Sequence, residues 1–212
     1  MDTNAFDKAV ISAVFQQAGL VGWRSANLVA AARDAGLDLA RVRARFPNKA
    51  AVLLRFGVIA DQAVLAEAPA HGTARDKLFD VLMARIDQVQ MHRSGMLALI
   101  QALRFDPCLV LLLGAATLRS MAWLLDAAGV PRDGVAGVLR VHGLAAAWAY
   151  ALRAWEKDES ADLASTMAAV DRALDRAVQA EAMLPGHRAP PPEDEPPFND
   201  ATERAGEPPA VL

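Results

Sequence analysis

The sequence predicts an all-α protein, and three observations carry that reading. Apolar residues recur at the i, i+3, i+4 spacing of helices and nowhere alternate as in strands. Pro and Gly fall at the joints between these runs. Ser, Thr, Asp or Asn stands before run after run, where a side-chain oxygen can accept from the free amides of a first helical turn. With 212 residues and 54% hydrophobic content, the chain can bury one sizeable helical domain, or a small module joined to a larger one. About nine helices are expected.

The first, over about 4–17, places Phe6, Val10, Ile11, Val14 and Phe15 on one stripe. Ser25 is a plausible N-cap for a second helix with apolar positions Leu28, Ala31, Ala32 and Ala35, and Gly36 supplies the left-handed residue that ends it. Asp38 then caps a short third helix, Leu39–Arg45, which stops before Phe46-Pro47. Two short helices joined by a tight Gly-containing turn have the layout of a helix-turn-helix. Asn48 caps a longer helix to about residue 67, closed by Pro69 and Gly72. Thr73 and Asp76 form a capping-box variant ahead of Leu78, Phe79, Leu82, Met83 and Ile86. Ser94 caps a short helix to Phe105, and Asp106-Pro107 starts an apolar helix that ends at Gly129. Pro131 begins the next, reaching about Trp155, and Ser160 begins a last one ending near Leu184.

From Pro185 the composition changes. Eight of the twelve prolines fall there with six acids and two arginines, too little apolar surface to offset the entropy of ordering. Three units are therefore expected: a helix-turn-helix-like module at 1–47, an all-helical ligand-binding and dimerisation domain at 48–184, and a disordered acidic, Pro-rich tail at 185–212.

Charge is unevenly placed. Residues 1–60 hold eight Lys/Arg against four acids, which suits a module facing phosphates or anionic headgroups, and equally a solvated face. The single cysteine, Cys108, cannot form an intrachain disulfide, so a reducing cytoplasm is the expected setting. The first residues lack the basic start and apolar run of a signal peptide. The apolar stretch 108–128 is interrupted by Arg119 and Asp126 and reads as a buried core helix. No His/Cys/Asp/Glu grouping has metal-ligand spacing and no Gly-rich phosphate loop appears, so neither metal, cofactor nor enzymatic activity is expected.

The stretch ending Phe46-Pro47-Asn48-Lys49, within an N-terminal three-helix module, resembles the TetR family of ligand-responsive repressors. That family's motif runs through Gly-Val-Ser-Lys-Gly-Thr-Leu-Tyr to His-Phe-Pro-Ser-Lys. The frame fits and the reading surface departs: Leu39 stands where the family often has lysine, and Arg41 and Arg43 stand at its threonine and tyrosine positions. On this resemblance Arg41, Arg43, Arg45 and Lys49 are the candidate DNA contacts.

A second resemblance is to the Coq-nine family of ubiquinone-biosynthesis proteins, which share the TetR fold. It rests on Gly22-Trp23, Ala30-Ala31-Ala32, Gly36-Leu37, and Trp155 to Asp162 followed by Thr166 and Asp171-Arg172. The family's amphipathic C-terminal helix is replaced here by the acidic tail. The resemblance implies a TetR-like fold and a non-catalytic accessory protein that binds an isoprenoid lipid, such as a polyprenylated aromatic intermediate or quinone. It also implies a ubiquinone-pathway hydroxylase as partner, and peripheral contact with the inner membrane.

Small residues between large apolar ones leave room for such a tail, and the candidate lining is Leu97, Ile100, Leu103, Leu112, Leu113, Met121, Trp123 and Leu124, with His142, Trp148 and Tyr150 for a ring headgroup. The Ala-rich faces of the last two helices suggest a homodimer by the same likeness. Two readings stay open: the lipid-binding accessory protein and, as the alternative, a repressor whose basic helix-turn-helix reads DNA.

Overall fold

The computed structural model describes residues 2–67 and 71–182. Among them it holds nine helices and no strand: α1 (Thr3–Val21), α2 (Leu28–Asp34), α3 (Leu39–Arg45), α4 (Lys49–Ala66), α5 (Ala74–Gln90), α6 (Arg93–Leu103), α7 (Pro107–Ala127), α8 (Gly134–Lys157) and α9 (Ala164–Ala182). The expected joint at Pro69, the end of the last helix near Leu184 and the tail at 185–212 lie outside the described residues.

The α1 stripe of Phe6, Val10, Ile11, Val14 and Phe15 is buried as read, and α1 lies along α6. Glycines let the two backbones meet. A methyl group on Gly95 would stand 2.2 Å from the Phe15 carbonyl oxygen, and one on Gly19 would stand 2.5 Å from Ser94 Oγ. Ser94, expected as an N-cap, is instead inside α6, which starts at Arg93 without a side-chain cap. Its small side chain is used at the crossing.

In the module, Asn27 rather than Ser25 caps α2. Its Oδ1 accepts from the Val29 and Ala30 amides at 2.9 and 3.2 Å, while its own amide donates to Gln17 Oε1 of α1 at 2.7 Å. That second bond comes from packing and is invisible in local spacing. The α2 end is as read: Gly36 has φ +65°, its amide donates to Arg33 O and that of Leu37 to Ala32 O, the paired bonds of a Schellman ending. Asp38, Asn48, Thr73 and Asp106 cap α3, α4, α5 and α7 as the sequence indicates.

The last two helix starts differ from expectation. Residue 131 does not open α8, which begins at Gly134, because the intervening loop is folded back: Arg132 pairs with Asp126 at 2.5 Å and Arg140 donates to the Pro131 carbonyl at 2.6 Å. Ser160 does not open α9 because Asp158 takes it. The Asp158 carboxylate accepts from the Ser160 amide and hydroxyl (3.1 and 2.5 Å) and from the Thr166 amide and hydroxyl (2.8 Å each). Leu163 consequently adopts φ +53°, unusual for a non-glycine residue, with its side chain buried. Arg93 donates to the Trp155 and Asp158 carbonyls and lies over the Trp155 ring, and fully buried Trp155 donates to Gln90 at 2.7 Å. The Trp155 to Thr166 signature is therefore the joint that locks α8 to α9 and to α5.

The apolar helix α7 is core only over its second half. Met121, Leu124 and Leu125 are buried, whereas Val110, Leu111 and Leu112 are exposed, Leu111 by 74%. In its first half only the Leu109–Leu113 stripe meets the protein. Both α7 and α8 are long and apolar enough to cross a membrane by length and composition.

Gly95→Ala should destabilise the fold: helix propensity gains up to about 1 kcal/mol, but forcing a side chain into close packing costs about 1–3 kcal/mol, and here the obstacle is backbone. Gly114→Ala, where the added methyl meets nothing within 4 Å, should raise stability. Thermal unfolding followed by circular dichroism checks the pair, and a Gly95→Ala midpoint at or above wild type contradicts the crossing.

Hydrogen bonds from Ser160, and then Thr166, hold the Asp158 carboxyl at about 2 against its ordinary 3.8. A carboxyl depressed by folding stabilises above the unfolded value, and that contribution is lost as pH falls from there through the folded value. Urea titrations should show wild-type stability falling across this window. Asp158→Asn should be weaker at neutral pH with a shallower acid decline; parallel declines would refute the assignment.

Candidate functional site

Functional side chains gather in two places, the module formed by α1–α3 and a cavity enclosed by α4–α8, and α4 belongs to both. In the module, Val42 and Phe46 are buried and anchor α3, leaving Ala40, Arg41, Arg43 and Ala44 outward. The four candidate DNA contacts separate here. Arg43 is exposed beside a shallow groove between α2, α3 and the start of α4. Arg41 is exposed with its guanidinium 4.1 Å from the centre of the Phe6 ring.

Arg45 and Lys49 hold the module together. Arg45 makes a two-pronged pair with Asp7 of α1, at 3.0 and 2.8 Å, and Arg55 of α4 reaches the same carboxylate at 2.6 Å. Asp7 has no exposed surface. Burial pushes its carboxyl up, but the hydrogen bonds and charges of Arg45 and Arg55 outweigh this and hold it below its ordinary value. Lys49 Nζ donates to the carbonyls of Trp23 and Ala26 at 2.8 and 2.6 Å and lies over the Trp23 ring; burial lowers its pKa. Side chains so engaged belong to the module's own packing, while Arg41 and Arg43 are exposed on its outer face.

The cavity has a volume of about 580 Å³. Leu53, Leu54, Phe56, Val58 and Leu65 of α4, Val89 of α5, Met96 and Leu99 of α6, and Leu152 of α8 make most of its wall apolar. Of the residues named from the sequence, Leu113, Trp123 and Trp148 line it. Leu97, Ile100 and Leu103 pack half-buried against the core instead, and Leu112 is exposed. Met121 and Leu124 are fully buried but off the cavity face of α7, which runs through Leu113, Ala116, Thr117, Ser120 and Trp123; one residue turns a helix by about 100°. His142 and Tyr150 are exposed on α8, outside the cavity; His142 Nδ1 bonds the Val138 carbonyl at 2.8 Å, and Arg176 lies over the Tyr150 ring.

Three polar residues that spacing did not single out form the cavity's one polar wall. Asp61 of α4 is ion-paired with Arg85 of α5, and Ser120 Oγ of α7 donates to Asp61 Oδ2 at 2.5 Å. The Arg85 side chain is 9% exposed, its guanidinium lies 5.1 Å from the Trp148 ring centre, and burial lowers its pKa to about 10, so it stays cationic at neutral pH. A sequence signal existed: Arg85 falls on the apolar stripe of Leu78, Val81, Leu82 and Val89, and Asp61 on that of Leu54, Val58 and Leu65. A charge on an otherwise apolar face is expected to be paired or functional. Beside the cavity wall, His92 stacks on Phe15 with ring centres 5.1 Å apart and meets Phe56 edge-on, and burial lowers its pKa. Among the described residues no group of three His, Cys, Asp or Glu side chains could hold a metal ion.

A solved TetR transcriptional regulator from Nitrosomonas europaea ATCC 19718 superimposes with a TM-score of 0.68, covering 82% of this chain and 99% of its own, at 18% identity. The fold is that of TetR-type regulators. A flavonoid-responsive regulator, FrrA, gives a TM-score of 0.44 at 17% identity, over 84% of this chain and 97% of its own. No family model and no curated protein matches the sequence. The Coq-nine resemblance finds no counterpart among these neighbours, and the Trp155–Asp162 stretch that carried it is accounted for by the α8–α9 joint.

Proposed function

We propose that this chain is a ligand-responsive, DNA-binding regulator of the TetR type. One observation carries the reading: α4 is shared by the helix-turn-helix module and the cavity. Arg55 is paired with Asp7 of the module, and Asp61, six positions and about 9 Å further along the helix, stands in the cavity wall. A ligand that moves Asp61 therefore acts on a helix tied through Arg55 to Asp7, the same carboxylate that holds Arg45 of α3. Arg41 and Arg43, exposed on the outer face of α3, contact the phosphate backbone.

The regulator works as a homodimer in the cytoplasm. Supporting this, α8 exposes Val135 (78%), Val138, Leu139 and Tyr150 along one face, with Met167 and Val178 exposed on α9, an apolar surface suited to a twofold self-contact. A second reading, the isoprenoid carrier serving a ubiquinone-pathway hydroxylase, draws support from the mostly apolar cavity wall. In that case an isoprenoid quinone or related lipid is extracted from the purified protein and no duplex DNA is bound.

Selection from a random duplex library should enrich a twofold-symmetric site, bound with a steep salt dependence by a dimer in analytical ultracentrifugation. Arg41→Ala with Arg43→Ala should weaken binding and flatten the salt slope by about one for each phosphate that is no longer neutralised. Arg45 is excluded from this variant because its loss would unpair Asp7. A library without enriched sequences, or a slope unchanged in the variant, would overturn the DNA-binding reading.

A further inference from the structure

The polar wall of the cavity defines what the cavity can hold. Asp61 and Arg85 bring one negative and one positive charge to a mostly apolar space, lined also by Gln62, Thr117, Ser120 and the exposed Arg119, and they compensate each other. Ser120 donates to Asp61 and lies 3.5 Å from Arg85 Nη2. A guanidinium has N–H donors beyond those two directions. The Trp148 ring lies over one side of the guanidinium.

Adding a carboxylate ligand would place two carboxylates against one guanidinium. One of them would then be buried without its counter-charge, which is strongly disfavoured in an apolar surround. An uncharged head suffers no such conflict: its oxygen accepts from Arg85 and, where it carries an N–H or O–H, it donates to Asp61. Arg119 also lines the cavity but is exposed, where water solvates its charge and a rim contact adds little.

We propose that the cavity takes an uncharged amphiphile, an apolar body with a single amide-, hydroxyl- or carbonyl-type head, and that Asp61 is the residue that excludes the corresponding acids by neutralising Arg85. This rests on the reading of the cavity as an effector site and names the chemical class of effector. Flat or branched apolar bodies are accommodated between Phe56, Trp123 and Trp148, with Gly57 and Ala116 leaving room between them.

The test uses the full chain, the dye N-phenyl-1-naphthylamine as reporter, and two competitors of one length, dodecanamide and dodecanoate, near neutral pH. Dodecanamide should displace the dye at a concentration lower than dodecanoate by about tenfold or more. In Asp61→Asn, which keeps the shape and a bond to Ser120 but leaves Arg85 uncompensated, the order should reverse. Should that variant fail to fold, Asp61→Leu with Arg85→Met removes both charges together and should bring the two competitors to near-equal displacement. Dodecanoate matching the amide on wild type, or an unchanged ratio in the folded variants, overturns the ligand class and leaves the cavity as a binding site. A folded wild-type protein that takes up neither dye nor competitor overturns the effector-site reading itself.

Discussion

A carboxylate with no exposed surface cannot remain ionised without partners, and Asp7 meets that demand by drawing in arginines from two other helices. The pairing settles the position of α3 through Arg45 and of α4 through Arg55 against α1, the helix that in turn lies along α6. Removing either arginine would leave the Asp7 carboxylate buried with one counter-charge fewer. The basic character of the N-terminal sixty residues thus has two origins. Arg45, Lys49 and Arg55 are bonded to groups of the module itself, while Arg41 and Arg43 are exposed on its outer face.

The same logic recurs twice. Asp158 gathers four donors at the α8–α9 joint, and Asp61 meets Arg85 and Ser120 at the cavity. The three aspartates differ in what surrounds them. Asp7 and Asp158 are closed in by their donors and act as rivets. Asp61 instead lines the cavity, on a helix that is also tied to the module through Lys49 and Arg55.

Much of the fold was legible in the chain because helix starts and stops are local chemistry. Asp38, Asn48, Thr73 and Asp106 announce themselves, and Gly36 needs only its missing Cβ to be recognised as a turn. The differences at Ser94, Pro131 and Ser160 come from a partner distant in sequence or from a neighbouring carboxylate, whereas Ser25 yields to Asn27 two residues on, which Gln17 of α1 anchors. The cavity was less legible. Large apolar residues on α6 and α7 all look alike in one dimension, and only the helix's rotation separates Leu113 and Trp123, which face the space, from Met121 and Leu124, which do not. The more telling mark was the charge placed on an apolar stripe at Asp61 and Arg85. The Trp155–Asp162 signature has a structural role of its own, as the joint between α8 and α9, which a resemblance in sequence alone does not reveal.

The close approach of Gly95 to the Phe15 carbonyl has a consequence for evolutionary drift. A backbone-to-backbone crossing admits one residue type at Gly95 and asks only for small residues beside it, Gly19 and Ser94. With the fold's strict requirements concentrated in such points and in a few buried aspartates, most other positions are free to diverge. The architecture can then persist after sequence likeness has fallen to 18%, and lineages that share it are better recognised by a handful of scattered joints than by any continuous motif.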